Sequence, residues 1–307
     1  MISYLLLYKI LQLFTVLVFG FLLVKLRVIR SGDGTVLSKI SLYMLMPAAI
    51  INSFDVELTP ELAKAIGLAY IAAIVVHIVL LGIDAIYKRA AHGTSAERAS
   101  VMYSNAANLI IPIVSFVLGE EWVIYSCAFM SVQLVFLWSH GIRMFSENEK
   151  FNIKKILLNV NIIAIAIGVV FMICGIRLPV FVKDITSSLG GMLGNVSMLI
   201  AGILAAQVDF KKMIANKRLY LVLAMRMIVC PAVVLVILKI IGSFAGIANA
   251  ENILLVSFLA AMTPAAATVM QFAQLSGRDA DFAVAVNIAT TVVCIATMPV
   301  FVAIYSM

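Results

Sequence analysis

Ser104-Asn105-Ala106-Ala107-Asn108-Leu109-Ile110-Ile111-Pro112 and, 158 residues further on, Met262-Thr263-Pro264-Ala265-Ala266-Ala267-Thr268 decide how this chain folds. Each stretch lies inside a long apolar run and mixes proline, small residues and hydrogen-bonding side chains. Proline inside a helix removes an N–H and frees a carbonyl one turn earlier, which lipid cannot satisfy. Both interruptions therefore belong in the interior of a bundle. Interrupted helices at matching positions in two halves of a chain are the sequence mark of a substrate site in secondary transporters.

The rest of the sequence agrees with a bilayer as solvent. Of 307 residues 64% are hydrophobic and 12% charged, and mean hydropathy is +1.13, so too few polar groups exist to cover a water-soluble globule. Net charge is +7, but the basic residues sit between apolar runs instead of in an interleaved patch, and nucleic acid is not expected as a partner. The stretch from Tyr4 to Leu26 is too long for a signal-peptide core and has no small-residue cleavage site before Lys25, Arg27 and Arg30, so it is expected to stay as a first span. Cys127, Cys174, Cys230 and Cys294 lie in apolar stretches without short spacings and read as small hydrophobes.

Crossing the hydrocarbon takes about 20 apolar residues in helix. The candidate spans are 4–26, 36–54, 62–87, 99–118, 121–143, 153–174, 189–207, 217–242, 251–275 and 280–304. The fold class is thus all-α and polytopic, with about ten transmembrane helices. The seventh span is the least regular, because Gly190, Gly191, Gly194 and Gly202 loosen it. Odd-numbered connections carry 16 of the 22 lysines and arginines, among them Lys88, Arg89, Arg98, Lys150, Lys211, Lys212 and Arg278. Even-numbered ones carry Asp55, Glu57 and Glu61, then Glu120 and Glu121. Basic loops stay inside, so both termini are expected outside a cell (inner) membrane.

An internal repeat organises these spans. Leu37-Ser38-Lys39-Ile40-Ser41-Leu42 is echoed 156 residues later by Leu193-Gly194-Asn195-Val196-Ser197-Met198, with Phe54 falling on Phe210. At an offset of 158, Asn105 falls on Thr263 and Gly119 on Gly277. Two five-span halves result, 1–145 and 146–307. Five being odd, the second copy enters from the opposite side, as in inverted-repeat carriers.

The candidate substrate residues are Asn105, Ala107, Asn108 and Pro112 in the fourth span, Thr263, Pro264, Ala265 and Thr268 in the ninth, and Arg226 in the eighth. Half-helix N-termini meeting there would offer unsatisfied N–H groups and positive dipole ends to an anion. Arg226 lies about 12 Å along the eighth helix from Arg218 at 1.5 Å per residue and could reach a carboxylate, or snorkel to the surface or pair with backbone carbonyls. Asn52, His77, Gln133, Ser197, Gln207, Gln271 and Asn287 are secondary polar candidates, for a coupling ion or as helix-to-helix glue. His77 and Asp84, seven apart, share a helical face and could form a proton-sensing pair. No carboxylate sits mid-span, which disfavours a carboxylate proton relay. Catalysis is not expected: Tyr125 stands where an EExxxR motif needs arginine, Gly32-Asp33-Gly34-Thr35 lacks the lysine of a phosphate loop, and no HExxH or GxSxG occurs. No metal or other cofactor is expected, since the methionines form no cluster with His or Cys.

Several of these residues resemble the auxin efflux carrier family, which includes bacterial malate and malonate permease-like proteins and the plant auxin exporters. The resemblance begins with Gly20-Phe21-Leu22-Leu23-Val24-Lys25, then Leu37-Ser38-Lys39-Ile40 leading to Leu45-Met46-Pro47-Ala48. Asn105 and Pro112 match the Asn and Pro of a stretch similar to GNxGxxGxP, with Ala107 and Ile110 in place of two glycines. Leu259-Ala260-Ala261-Met262 is similar to the start of LAAMPSAANAV, after which Pro264 is shifted by one and Ala267 replaces an asparagine. Arg226 and Pro231 match an arginine-then-proline pattern in the eighth span. The resemblance implies a ten-span carrier with outside termini, made of a scaffold part and a transport part whose fourth and ninth helices cross at the substrate site. It also implies small carboxylate substrates moved by an elevator-like shift. The expected partners are a small organic anion and the lipid bilayer; coupling to protons or sodium, and assembly as a homodimer, are left open. The alternatives are a ten-span drug/metabolite-type exporter with both termini inside, or a membrane sensor or enzyme.

Overall fold

The computed structural model describes residues 2–145 and 153–307, so the expected junction of the halves and Lys150 fall outside the described residues. The described residues are helical apart from turns and one isolated two-residue bridge. Among the described residues seven helices are long and apolar enough to cross a bilayer. The fourth, sixth and ninth expected spans appear as shorter pieces, giving the order α1 (Ile2–Lys25), α2 (Gly34–Ser53), α3 (Pro60–Ala91), α4a (Ser95–Met102), α4b (Ala106–Val117), α5 (Glu120–Phe145), α6 (Val160–Ile173), α7 (Val180–Ala205), α8 (Lys217–Phe244), α9a (Ala250–Met262), α9b (Ala267–Ser276) and α10 (Ala280–Tyr305).

Local sequence sets where these helices begin and bend. At the start of α3, Thr59 accepts a hydrogen bond from the Leu62 N–H, and Pro60 follows at the position where its missing donor costs nothing. At 32 residues α3 is about 48 Å long, so it outruns the hydrocarbon and carries Lys88 and Arg89 clear of it. Wider π-helical turns interrupt α2 at Ser41–Leu45, α5 at Leu137–Gly141 and α8 at Met225–Val229, the last containing Arg226.

Two groups of helices emerge from the packing. In one, α1 and α2 pack on α7, and α2 also packs on α6; in the other, α3, α5, α8 and α10 surround the broken pair. The groups meet where α1 lies against α10 and α4b, and α7 against α4b. The seventh span corrects the expectation: it is one continuous helix starting at Val180, nine residues before the expected start. Its glycines are contact points. A Cβ on Gly202 would collide with the Leu17 carbonyl, and one on Gly20 with the Leu199 carbonyl, so α1 and α7 touch backbone to backbone. A Cβ on Gly194 would come within 2.7 Å of the Pro112 ring, which fixes α7 against α4b. Close approach through small residues is how helices gain packing energy in lipid, where the hydrophobic effect between them is absent.

Candidate functional site

The site is built where α4 and α9 stop being helices. In the ninth span the cause is Pro264, which pushes the residue before it out of the helical region; Thr263 is extended, with ψ 156°. In the fourth span the break falls at Tyr103-Ser104-Asn105, eight residues before Pro112, with Tyr103 extended at ψ 127°. Ser and Asn compete with the helix for their own backbone hydrogen bonds, and no proline is needed. The expectation that Pro112 marks the break is thus corrected: α4b runs through it.

The two unwound segments lie antiparallel and exchange backbone hydrogen bonds. Asn105 N–H donates to the Pro264 carbonyl (2.7 Å) and Ala266 N–H to the Tyr103 carbonyl (3.0 Å), pairing Ser104 with Ala265. The exchange relates residues 161 apart, three more than the offset of 158 read from the sequence. Side chains satisfy what remains. Gln133 of α5 accepts from Ser104 N–H (3.3 Å) and Oγ (2.6 Å) and donates to the Ser104 carbonyl (2.8 Å). Across the crossing, Thr290 of α10 accepts from Ala265 N–H (3.1 Å) and Asn287 donates to the Ala265 carbonyl (2.5 Å). Ser104 and Ala265 thus each meet side chains that imitate a neighbouring strand, and this answers the cost of irregular backbone in a membrane.

Of the roles the sequence leaves open for Arg226, the structure shows the pairing with backbone carbonyls. Its guanidinium, fully buried, donates to the carbonyls of Val101 (3.2 Å), Ala261 (2.7 Å) and Thr263 (2.7 Å). These are the C-terminal ends of α4a and α9a. Each end carries roughly half a negative charge, and two of them about neutralise one guanidinium. A fixed fork of five N–H donors suits several carbonyls at once, where lysine offers a point charge. Both terminal nitrogens of Arg226 are thus engaged by backbone, while its buried Nε has no hydrogen-bond partner among the described residues.

The N-terminal ends of α4b and α9b meet at the same crossing. Asn105, 9% exposed, precedes the first turn of α4b, and its Oδ1 accepts from Asn108 Nδ2 (3.0 Å). Asn108 and Thr268 are half-buried in the first turns of α4b and α9b, and Ala107 lies in the helix between Asn105 and Asn108. Thr263 is fully buried with its hydroxyl on the Ala260 carbonyl.

A cleft of about 360 Å³ opens beside α4b, lined by Ile111, Pro112 and Ser115 on that helix and by Lys9, Asn52 and Ser187 opposite. Asn108 lies one turn below Ile111 and Pro112 on the same helical face, since residues three, four and seven apart align. Asn52 also accepts from the Thr186 hydroxyl (3.3 Å). The other secondary candidates scatter. His77 is enclosed against Phe129 and Phe136 with Nδ1 on the Ala73 carbonyl (2.7 Å). Ser197 is buried with no partner for its hydroxyl among the described residues, while Gln207 and Gln271 are exposed. A His77–Asp84 pair does not form: Asp84 takes a two-pronged bond from Arg98 (2.8 and 2.6 Å) at the basic end of the bundle. There Glu97 pairs with Arg218 (3.0 Å), so α4a is anchored to both α3 and α8.

Ser104, Thr290 and Lys9 were missed in the sequence. Ser104 bonds to the Gln133 side chain and Thr290 to the Ala265 N–H, partners that only the crossing reveals; a lysine six residues into the first apolar span was the one available signal for Lys9.

These features define a polytopic helical membrane protein organised around two interrupted spans that cross inside it. A family model described as membrane transport protein matches residues 5–302. The chain belongs to that family, the membrane transport family of the auxin efflux carriers, and is a membrane transporter. No curated protein sequence matches it.

Proposed function

We propose that the chain is a secondary carrier of small organic anions, mono- or dicarboxylates, with its site at the N-terminal ends of α4b and α9b. One observation carries the reading: of the four helix ends at the crossing, the two negative ones are already neutralised by Arg226, while among the described residues the first-turn N–H groups of the two positive ones that are paired (Asn108, Leu109 and Val269) bond only to main-chain carbonyls. What polarity remains is positive, about half a charge from each end, which matches a carboxylate. Asn105, Asn108 and Thr268 supply hydrogen bonds around it, and the cleft along Ser115, Pro112 and Ile111 gives a path down the face of α4b. Lys9 and Glu120 both line the cleft, so its charge is balanced and the positive polarity of the site comes from the helix ends.

In this reading the chain is a pair of inverted five-span halves, and the helices α1, α2, α6 and α7 form a scaffold. The remaining helices carry the crossing as one block and slide past α1 and α7, an elevator-type movement. Both termini and the mouth of the cleft face outside, because the basic loops lie at the other end. Purified full-length protein in liposomes, tested for exchange of a panel of radiolabelled carboxylates, checks this. Asn108→Ala is expected to lower uptake about tenfold, as loss of one hydrogen bond to a charged group would, while the protein stays folded. Failure of the wild type to exchange any carboxylate overturns the reading.

A further inference from the structure

The carbonyls that Arg226 occupies have a meaning of their own. In carriers with interrupted helices, unwound carbonyls and half-helix C-terminal ends are where a driving cation is held. Here that place is lined by Val101, Ala261 and Thr263, and the guanidinium donates to all three. Arg226 is fully buried, and its α8 backbone is widened into a π-helical turn at this point. A sodium ion would need the same oxygen lone pairs and would meet a fixed positive charge a few ångströms away.

The geometry points to Arg226 as a covalently tethered substitute for a coupling cation, so that this carrier draws no energy from a sodium gradient. The inference rests on the carrier reading above and deepens it. Arg226 is here a positioning residue: it holds the ends of α4a and α9a together and leaves the anion to the opposite ends. A mobile ion would make the crossing's integrity depend on the ionic surroundings, whereas a tethered one makes it permanent.

The test uses the purified full-length chain, with thermal unfolding midpoints measured in sodium, potassium, lithium and choline chloride at equal ionic strength. The wild type is expected to give the same midpoint in all four. Arg226→Ala is expected to unfold roughly 5 °C lower or more, because three buried carbonyls lose their donors, and to regain part of that loss with sodium or millimolar methylguanidinium but not with choline. Arg226→Lys, which keeps a cation beside the carbonyls, falls between the two and serves where the alanine variant does not fold. A wild-type midpoint that rises with sodium over choline overturns the inference, as does an alanine variant with an unchanged midpoint or no gain from the small cations. In liposomes the two readings separate. Carboxylate uptake driven by an imposed sodium gradient defeats this inference alone, while absence of any uptake, with the midpoints as expected, defeats the carrier reading alone.

Discussion

Gln133 shows how much one side chain can hold in a membrane interior. Its amide meets the N–H, the carbonyl and the hydroxyl of Ser104, groups that would otherwise be buried without partners. Gln133→Leu keeps the size and removes the amide, so it is expected to cost about 2–5 kcal/mol, read as a lowered midpoint in detergent. Thr290→Val orphans one N–H, that of Ala265, and is expected to cost about 1–3 kcal/mol in the same measurement. Equal, wild-type stability in both would mean that water reaches the crossing. The polar candidates read from the sequence included Gln133 and Asn287 but could not rank them above Gln207 or Gln271. All four are amides in apolar surroundings, and what separates them is an unwound partner on another helix, which no local pattern encodes.

Glycines and one aspartate set the fit between elements. Because Gly202 touches the α1 backbone, Gly202→Val is expected to push α7 from α1 and prevent stable folding, whereas Gly67→Ala in α3, where nothing lies within 4 Å, is expected to be neutral or stabilising by up to about 1 kcal/mol. Expression and monodispersity of the two variants distinguish them. Asp55, just beyond α2, accepts from Lys183 (2.7 Å) and from the Leu178 N–H (3.1 Å), with Arg177 at 3.8 Å. Burial alone would raise its carboxyl, but these donors and cations outweigh it and hold the group below the usual carboxylate range. Its contribution is therefore full above the ordinary aspartate value, near 4, and is lost as pH falls through the lowered one. Thermal unfolding from pH 7 downward is expected to show a loss of stability below about pH 4 that Asp55→Asn reduces.

For the whole molecule, the apolar run lengths foretold a polytopic helical bundle and the two polar, small-residue stretches foretold paired breaks, because hydrophobic length and backbone-competing side chains act locally; of the two breaks only the one before Pro264 is made by proline. The continuity of α7 was hidden, since glycine reads as loosening until a neighbouring helix is seen to need the space. Arg226 was visible as a buried charge, yet the sequence left open whether it faces a ligand, the surface or backbone; that depends on where two other helices end. Orientation has a direct check in Cys174, the exposed one among the four cysteines, at the end of α6 opposite the basic loops. A membrane-impermeant maleimide is expected to label intact cells at this position, and labelling only after permeabilisation would reverse the topology.

The bonds that join the two unwound segments, Asn105 to Pro264 and Ala266 to Tyr103, run between main-chain atoms, with flanking support from α5 and α10. Residues in the first turns of α4b and α9b can accordingly be exchanged without unmaking the join. In the proposed carrier, positions 107, 108, 267 and 268 are thereby free to set what is recognised while the architecture stays intact.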